Sequence, residues 1–120
     1  MAKLSIMNTM IIIDPKSKHS ALLRKAFKDT FKITSYKQIN GYENFILKPE
    51  DVIVFHVSDF DSLFDFFVLL FKKQFNCRLF AISSVKSLEK KLYKLDVFLV
   101  LPYYYSKEQI VNAIKYIIEN

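Results

Sequence analysis

Three polar side chains stand where apolar runs of the sequence end, and together they could carry chemistry. Asp14 follows TMIII, His56 ends DVIVFH and Ser83 follows CRLFAI. An aspartate, a histidine and a serine are the parts of a hydrolytic triad, in which the histidine accepts the proton of the serine hydroxyl. However, Ser83 lacks the glycine-bounded turn that exposes such a nucleophile, and the whole chain has one glycine. We therefore expect a protein that is not an enzyme.

His56 leaves two other interpretations open. A histidine can form a covalent intermediate, so a small enzyme or a phosphocarrier that uses His56 is an alternative. The interpretation that we favour is a histidine that fills a pocket and makes a hydrogen bond with Asp14 or Ser83. His19 stands in a lysine-rich stretch, and we expect it to be exposed.

Two further groups of residues could bind ligands. Asp59 and Asp61 could supply oxygen ligands to a cation, but an acidic turn and a helix cap at Asp61 explain them as well. The sequence has no glycine-rich phosphate loop, and Cys77 is its only cysteine. We therefore expect no metal, no cofactor and no disulfide, and a lone thiol is typical of the reduced cytoplasm.

The elements that would position these residues alternate along the chain. Apolar runs predict strands, and apolar residues three or four apart predict helices. The predicted strands are TMIII, FKITSY, DVIVFHV, CRLFAI and DVFLVL. The predicted helices cover 17–29, 42–47, 61–75, 84–95 and 106–119. The first has an apolar stripe that includes Leu23, Ala26 and Phe27, and the last begins with the capping-box spacing of Ser106 and Gln109.

Five strands that alternate with five helices predict one α/β domain over residues 1–120. Near-continuous apolar strands are typical of a parallel sheet that helices cover on both faces. Right-handed crossovers then give a flavodoxin-like (βα)5 three-layer sandwich with a five-stranded parallel sheet. In such folds, ligands bind at the carboxyl ends of the strands, where Asp14, His56 and Ser83 stand.

This layout, together with four landmarks, resembles a CheY-like response-regulator receiver domain. Such domains carry an acidic pair after the first strand, and IIIDP keeps one acid as Asp14 with Pro15 in the second place. Their phosphoacceptor aspartate closes the third strand, where DVIVFH has His56. Ser83 matches their hydroxyl residue after the fourth strand. Leu101 takes the place of the lysine in their Lys-Pro pair after the fifth strand.

The resemblance implies a degenerate phosphorylation pocket made of Asp14, Pro15, His56, Ser83 and Leu101. Phosphoryl transfer to a receiver needs a carboxylate nucleophile, a divalent cation held by carboxylate oxygens, and a lysine that neutralises the developing charge. Of the two acids, the nucleophile and the lysine, only the first acid remains. The resemblance therefore implies a pseudo-receiver that acts in signal transduction or transcription regulation without aspartyl phosphorylation.

The charge of the chain permits an acidic partner without naming one. The net charge is +6, and Arg24 and Arg78 are the only arginines among 18 basic residues. Nucleic-acid sites usually cluster charge and use arginine, so a lysine-rich nucleic-acid-binding module is an alternative only. We expect contact with nucleic acid only through an output domain outside these 120 residues. The longest apolar stretch is too short to cross a bilayer, so we expect no membrane contact and a cytoplasmic location.

An excess of apolar side chains on two predicted helices favours a homodimer or a protein partner. On the helix over 61–75, we expect Phe64 to face the core, and Phe66 and Leu69 to be exposed. On the last helix, we expect the inward stripe to leave some apolar residues outside. The dimer or partner surface that we favour consists of Tyr103, Tyr104, Tyr105, Val111, Tyr116 and Ile118. The resemblance implies the same docking face, and a two-fold axis there would give a closed dimer.

Overall fold

One five-stranded sheet organises the chain in the computed structural model, which describes residues 7–37, 47–59, 61–64, 66, 77–83, 86–93, 99–101 and 105–119. The strands are β1 (Asn8–Ile13), β2 (Phe31–Tyr36), β3 (Val52–Val57), β4 (Arg78–Ser83) and β5 (Leu99–Leu101). The helices are α1 (Ser20–Phe27), α2 (Lys86–Tyr93) and α3 (Lys107–Glu119). Residues 61–64 and 66 are also helical.

The sheet is parallel and has the strand order β2-β1-β3-β4-β5. The chain reverses direction across the sheet after β2, so a topological switch point lies between β1 and β3. At this point Ile13 lies beside Phe55, and on the other side of β3 Val57 lies beside Ser83. The predicted α/β, flavodoxin-like fold with a five-stranded parallel sheet is therefore confirmed.

Where the structure describes them, the predicted strands and the first and last predicted helices agree with the observed ones to within a few residues. The helix predicted over 61–75 is described only at 61–64 and 66. FKITSY forms β2 without change, whereas CRLFAI is shifted by one residue to Arg78–Ser83. The helix predicted over 17–29 is shorter, because the chain forms a turn before Ser20. Residues 42–46 of the second predicted helix and 96–98 of the last predicted strand lie outside the described residues.

Side chains of the strands alternate between two apolar layers, because successive residues of a strand point to opposite faces of the sheet. One layer contains Ile11, Ile13, Ile53, Phe55, Leu79, Leu63, Phe66 and Leu88. The other layer contains Met10, Ile12, Val54, Phe80, Ile82, Leu23, Phe27, Ile110 and Ile114. β3 is buried along its whole length, which explains its continuous apolar run. His56 alternates with Phe55 and Val57, so it points to the side of α1 and α3.

The helical segment after β3 buries a different face from the predicted one. Phe66, which we expected to be exposed, is fully buried and packs edge-to-face on Phe55 with ring centroids 5.1 Å apart. Phe64, which we expected in the core, is 66% exposed. The segment enters the core through Leu63 and Phe66, three residues apart, so the predicted helix phase is wrong. Leu69 lies outside the described residues.

α3 begins as predicted but buries a wider face. The amide of Ser106 donates to Oε1 of Gln109 at 2.8 Å, and the amide of Gln109 donates to Oγ of Ser106 at 3.2 Å. This reciprocal pair is the predicted capping box. Val111, which we placed on the outer surface, is only 9% exposed and packs with Ile110 and Ile114. α3 contacts α1 as well as the sheet, and this double contact explains the burial of Val111.

α1 follows the predicted pattern in part. Leu23 and Phe27 are buried, whereas Ala26 is exposed and does not belong to the apolar stripe. Phe27 packs edge-to-face on Phe31 of β2, with ring centroids 6.0 Å apart. In the described part of the chain, no helix combines the length and the apolar character needed to cross a membrane.

Candidate functional site

A tight turn leads from β1 to α1 and fixes Asp14 at the carboxyl end of β1. The amide of Asp14 donates to the carbonyl of Tyr36 at 2.8 Å, which extends the ladder between β1 and β2. The amide of Ser17 donates to the carbonyl of Asp14 at 3.0 Å and closes a four-residue turn, with Pro15 in the second position that its fixed φ favours. Ser17 has φ 52, a left-handed conformation that costs a non-glycine residue about 1 kcal/mol.

The carboxylate of Asp14 binds the amino-terminal end of α1. Its Oδ2 accepts hydrogen bonds from the amides of His19, at 2.6 Å, and Ser20, at 3.0 Å. The first amides of a helix have no partner within the helix, and a negative charge beside them is favourable. The side chain of His19 makes no capping hydrogen bond of its own. We name the contacts of the Asp14 carboxylate with these two amides the Asp14 clasp.

His56 binds the other oxygen of the same carboxylate. Its Nδ1 lies 3.1 Å from Oδ1 of Asp14, and both side chains are almost completely buried. Since an ionised carboxylate can only accept hydrogen bonds, Nδ1 carries the hydrogen atom. Nε2 of His56 is buried and has no hydrogen-bond partner among the residues that the structure describes. Of the two partners that we expected for His56, Asp14 or Ser83, the structure shows a hydrogen bond with Asp14.

His19 completes a buried cluster that the sequence analysis missed. The residue is 5% exposed, so the expectation of an exposed histidine is wrong. Its ring packs edge-to-face on that of His56, with centroids 4.7 Å apart, and its Nδ1 has no partner within the described ranges. His19, Leu23 and Phe27 are spaced by four residues and are all buried. This helical period in the sequence already indicates that His19 faces inward.

Burial and hydrogen bonding act in opposite directions on Asp14. Burial raises the pKa of its carboxyl group, but the hydrogen bonds from His56 and from the amides of residues 18–20 outweigh burial and hold the pKa well below 3.8, its usual value. Asp14 is therefore ionised at neutral pH. Burial, and next the electrostatic effect of His56, lower the pKa of His19 to about 4, against an opposing effect of Asp14. His19 is therefore neutral at pH 7.

The other members of the predicted pocket contribute no charge to it. Ser83 ends β4, is 1% exposed and lies beside Val57 of β3. Leu101 is 2% exposed and belongs to the apolar layer that contacts α1 and α3. Pro15 lies in the turn before α1. Of the five residues of the predicted pocket, the structure thus shows Asp14 and His56 in contact.

The resemblance to receiver domains implies a magnesium ion, and the donors at this position do not fit one. Mg²⁺ requires near-octahedral oxygen ligands. Both carboxylate oxygens of Asp14 already accept hydrogen bonds from N–H groups, and the neighbouring side chain on β3 is an imidazole, which suits transition metals better than Mg²⁺. Within the described residues, no group of three or more histidine, cysteine or acidic side chains could hold a metal ion.

Asp59, rather than Asp61, caps the helical segment after β3. Oδ1 of Asp59 accepts from the amide of Ser62 at 2.8 Å, and Oγ of Ser62 accepts from the amides of Asp59 at 3.0 Å and Ser58 at 2.9 Å. The backbone amide of Ser62, and next its hydroxyl group, lower the pKa of Asp59. Asp61 is an exposed residue inside the helical segment, so the expected cap at Asp61 is wrong.

A small cavity of about 200 Å³ opens beside the Asp14 clasp. Its lining consists of Asp14, Ser17, Ser20, Ser35, Tyr36 and Lys37. Typical ligand sites have volumes of about 300–1,000 Å³. The cavity is smaller than these, and the carboxylate in its wall is already bound to α1.

Both arginines of the chain are bound to the protein itself. Nη2 of Arg24 donates to Oγ of Ser35 at 2.8 Å, and Nη2 of Arg78 donates to the carbonyl of Glu50 at 2.8 Å. Guanidinium groups held in this way are less available for phosphate contacts. Burial raises the pKa of the Cys77 thiol to about 11, so this thiol is a weak nucleophile at neutral pH.

The predicted dimer or partner surface is brought together only in part. Tyr116 on α3 is 69% exposed, whereas Tyr105 and Ile118 are half-buried and pack against the core. Val111 is buried and does not belong to the surface. Tyr103 and Tyr104 lie outside the described residues. Of the six residues of this predicted surface, the structure shows Tyr116 as an exposed aromatic side chain on α3.

Solved structures of response regulators resemble the chain along almost its whole length. A response regulator from Colwellia psychrerythraea has 17% sequence identity and a TM-score of 0.70, with 95% of this chain and 98% of that chain covered. One from Thermotoga maritima has 15% identity and a TM-score of 0.66, covering 96% and 100% of the two chains. The BeF3-activated receiver domain of DrrB has 10% identity and a TM-score of 0.68, again over 96% and 100%. No family model and no curated protein matches the sequence. The chain therefore has the fold of a response-regulator receiver domain.

Proposed function

We propose that the chain is an atypical receiver domain that acts in signal transduction or transcription regulation without aspartyl phosphorylation. The observation that carries the proposal is that His56, which the resemblance places at the position of the phosphoacceptor, is hydrogen-bonded to Asp14. The place therefore offers a buried imidazole instead of a free carboxylate nucleophile. The likeness to receiver structures supports the signalling role through the fold.

The neighbouring groups also speak against phosphoryl transfer. Asp14 is the remaining acid of the pocket, and its carboxylate is bound to α1 and to His56. Leu101 is a buried apolar residue where receivers carry the lysine that neutralises charge. A phosphocarrier role for His56 has less support, because Nε2 is buried and Nδ1 is bound to Asp14. We propose that the domain is not an enzyme.

Incubation with acetyl phosphate and Mg²⁺ tests this proposal. We expect the intact mass of the natural chain to stay unchanged, because no carboxylate is available at residue 56. His56→Asp alone should not restore full phosphorylation, because Pro15 and Leu101 remain. A receiver domain that accepts phosphate from acetyl phosphate is the positive control.

A stable phosphate adduct on the natural chain would contradict the proposal. If the adduct maps to Asp14, the domain is a phosphorylated receiver. If the adduct maps to His56, the phosphocarrier alternative is correct. Stability of the adduct in base distinguishes a phosphohistidine from an acyl phosphate independently of the mapping.

We further propose that the domain acts by contact with a second copy or another protein through α3. Tyr116 supports this, because a large aromatic side chain that is 69% exposed is suited to the centre of an interface. Any contact with nucleic acid then belongs to an output domain outside these 120 residues. Val111 is unsuitable for testing the interface, since a charge at this buried residue would unfold the domain.

Sedimentation at high micromolar concentration tests the α3 interface. We expect a dimer for the natural chain and a monomer for Tyr116→Glu, because a carboxylate in a desolvated interface is costly. Phe64→Glu is the matched control, since Phe64 is equally exposed but lies on the helical segment that packs on the other layer of the core. A monomeric natural chain, or loss of the dimer in the control alone, would contradict the proposed interface.

A further inference from the structure

The buried rings of His19 and His56 lie in contact, and the carboxylate of Asp14 binds the ring of His56 and the backbone amide of His19. The rings of His19 and His56 pack edge-to-face at 4.7 Å, and Nδ1 of His56 donates to Asp14. Nδ1 of His19 and Nε2 of His56 have no hydrogen-bond partner in the described part of the chain. Two imidazole rings can bind protons, whereas the resemblance to receiver domains concerns the transfer of a phosphoryl group.

The carboxylate of Asp14 has no oxygen left to bind a charged His19 ring. Its Oδ1 lies 3.1 Å from Nδ1 of His56. Its Oδ2 is bound to the amides of His19 and Ser20, so a proton on the His19 ring would be buried without a bonded counter-charge among the described residues. Lys18 before α1 and Lys107 at the start of α3 both act against a charge on His19. Asp59 carries a negative charge and is near enough to both His56 and Lys16 to be influenced by them.

We propose that the His19–His56 pair makes the amino-terminal end of α1 an acid-sensitive switch, in which a proton on the His19 ring drives it out of the core and opens the Asp14 clasp. The two events are coupled through His19 itself. Its ring lies in the core, and its own amide is one of the two that bind Asp14. Movement of the ring to solvent therefore acts on the same residue whose amide holds the clasp closed.

The direction of the pH effect follows from the burial of His19. Burial lowers its pKa in the folded state to about 4 from 6.5, so the unfolded or opened state binds more protons between these values. The closed state is fully stable above pH 6.5 and loses stability as the pH falls towards 4. At pH 7 the switch is closed.

Opening of the Asp14 clasp would affect the proposed interface, because α1 packs with α3. Leu23 and Phe27 of α1 share an apolar layer with Ile110 and Ile114 of α3. Lys107, the first residue of α3, is close enough to influence the charge on His19. A shift of the start of α1 therefore changes the surroundings of the helix that carries Tyr116.

Two measurements on the natural chain test the switch. Imidazole NMR should find His19 uncharged in the folded protein down to about pH 5, well below its ordinary titration range. Over the same range, the amides of His19 and Ser20 should lose hydrogen-exchange protection, after correction for intrinsic exchange rates, more than those of β3. Titration of His19 near its ordinary value, with the clasp still protected, would overturn the proposal.

His19→Phe supplies the matched variant, because it keeps an aromatic ring and removes the proton site. Between pH 7 and pH 5, the folding equilibrium constant of the natural chain should fall about tenfold more than that of His19→Phe, after allowance for screening. Equal pH dependence of the two chains would overturn the proposal. If His19→Phe does not fold, His19→Gln replaces it. None of these measurements depends on phosphorylation, so their failure and the failure of the proposed function are distinguishable.

Discussion

Two buried aspartates bind backbone amides at opposite ends of the sheet, and their surroundings differ. At the amino end of β3, Asp51 is 4% exposed and accepts from the amides of Thr9 at 2.8 Å and Lys48 at 2.7 Å. At the carboxyl end of β1, Asp14 is 2% exposed and accepts from the amides of His19 and Ser20. The Asp14 carboxylate also accepts a hydrogen bond from the imidazole of His56.

The comparison suggests that Asp14 has the same structural task as Asp51. Asp51 joins the start of β3 to β1 and to the preceding connection, and Asp14 joins the end of β1 to the start of α1. Each carboxylate replaces the water that those amides would otherwise bind. A carboxylate at an active pocket would instead keep its oxygens available for a ligand. The difference that remains is the contact with His56, which places an imidazole against the Asp14 carboxylate.

We expect the largest effect on stability at Asp51, at the amino end of β3. Asp51→Ala leaves two amides without their acceptor, so we expect a loss of about 3 kcal/mol in the free energy of unfolding. Urea denaturation at pH 7 measures it. Asp29→Ala is the control, since Asp29 is exposed, and should change stability by less than about 0.5 kcal/mol. A small effect at Asp51 would mean that its hydrogen bonds contribute little to the fold.

For Asp14→Asn we expect the free energy of unfolding to fall by about 2 kcal/mol, slightly less than for Asp51→Ala. The variant keeps the shape of the side chain but removes the charge that the helix start and His56 stabilise. Whether Asp14→Asn lowers or raises the free energy of unfolding distinguishes a structural carboxylate from one that binds a cation. A carboxylate retained for binding a cation would be unfavourable without the cation, so its neutralisation would stabilise the protein. Stabilisation of Asp14→Asn would therefore break the comparison with Asp51.

The acid limb of the stability curve should separate Asp14 from other carboxylates. Because hydrogen bonds hold the pKa of Asp14 below 3.8, its contribution is present above that pH and is lost as the pH falls through its folded-state value. Between about pH 4 and pH 2, the natural chain should lose about 1 kcal/mol more than Asp14→Asn. Thermal unfolding at several pH values measures this difference. Parallel curves for the two chains would contradict the lowered pKa.

The sheet and the contact between Asp14 and His56 were predictable from the sequence. Apolar runs determined the strands, because each central strand is covered on both faces. Residues after parallel strands meet at one edge of the sheet, so Asp14 and His56 had to be neighbours. These inferences depend on position along the chain and tolerate an error of one residue.

The failures concern helix phase, which an error of one residue changes by 100° of rotation. His19, Phe66 and Val111 were all expected to be exposed and are all buried. In the first case the lysines around His19 concealed its four-residue spacing from Leu23. For Phe66 the predicted inward face included Phe64, which is exposed instead. Val111 belongs to the apolar layer to which α1 and α3 both contribute, and no period within α3 alone could indicate this.

Beryllofluoride binding, observed in amide NMR spectra with Mg²⁺ present, tests the central claim most directly. Beryllofluoride bonds to a carboxylate oxygen and mimics an acyl phosphate, and a solved receiver domain resembling this chain is described as BeF3-activated. We expect no change in the amide signals of residues 13–20 and 52–58, because both oxygens of Asp14 are bound and residue 56 is histidine. A receiver with a phosphoacceptor aspartate should respond under the same conditions. Saturable shifts at Asp14 and His56 would contradict the account.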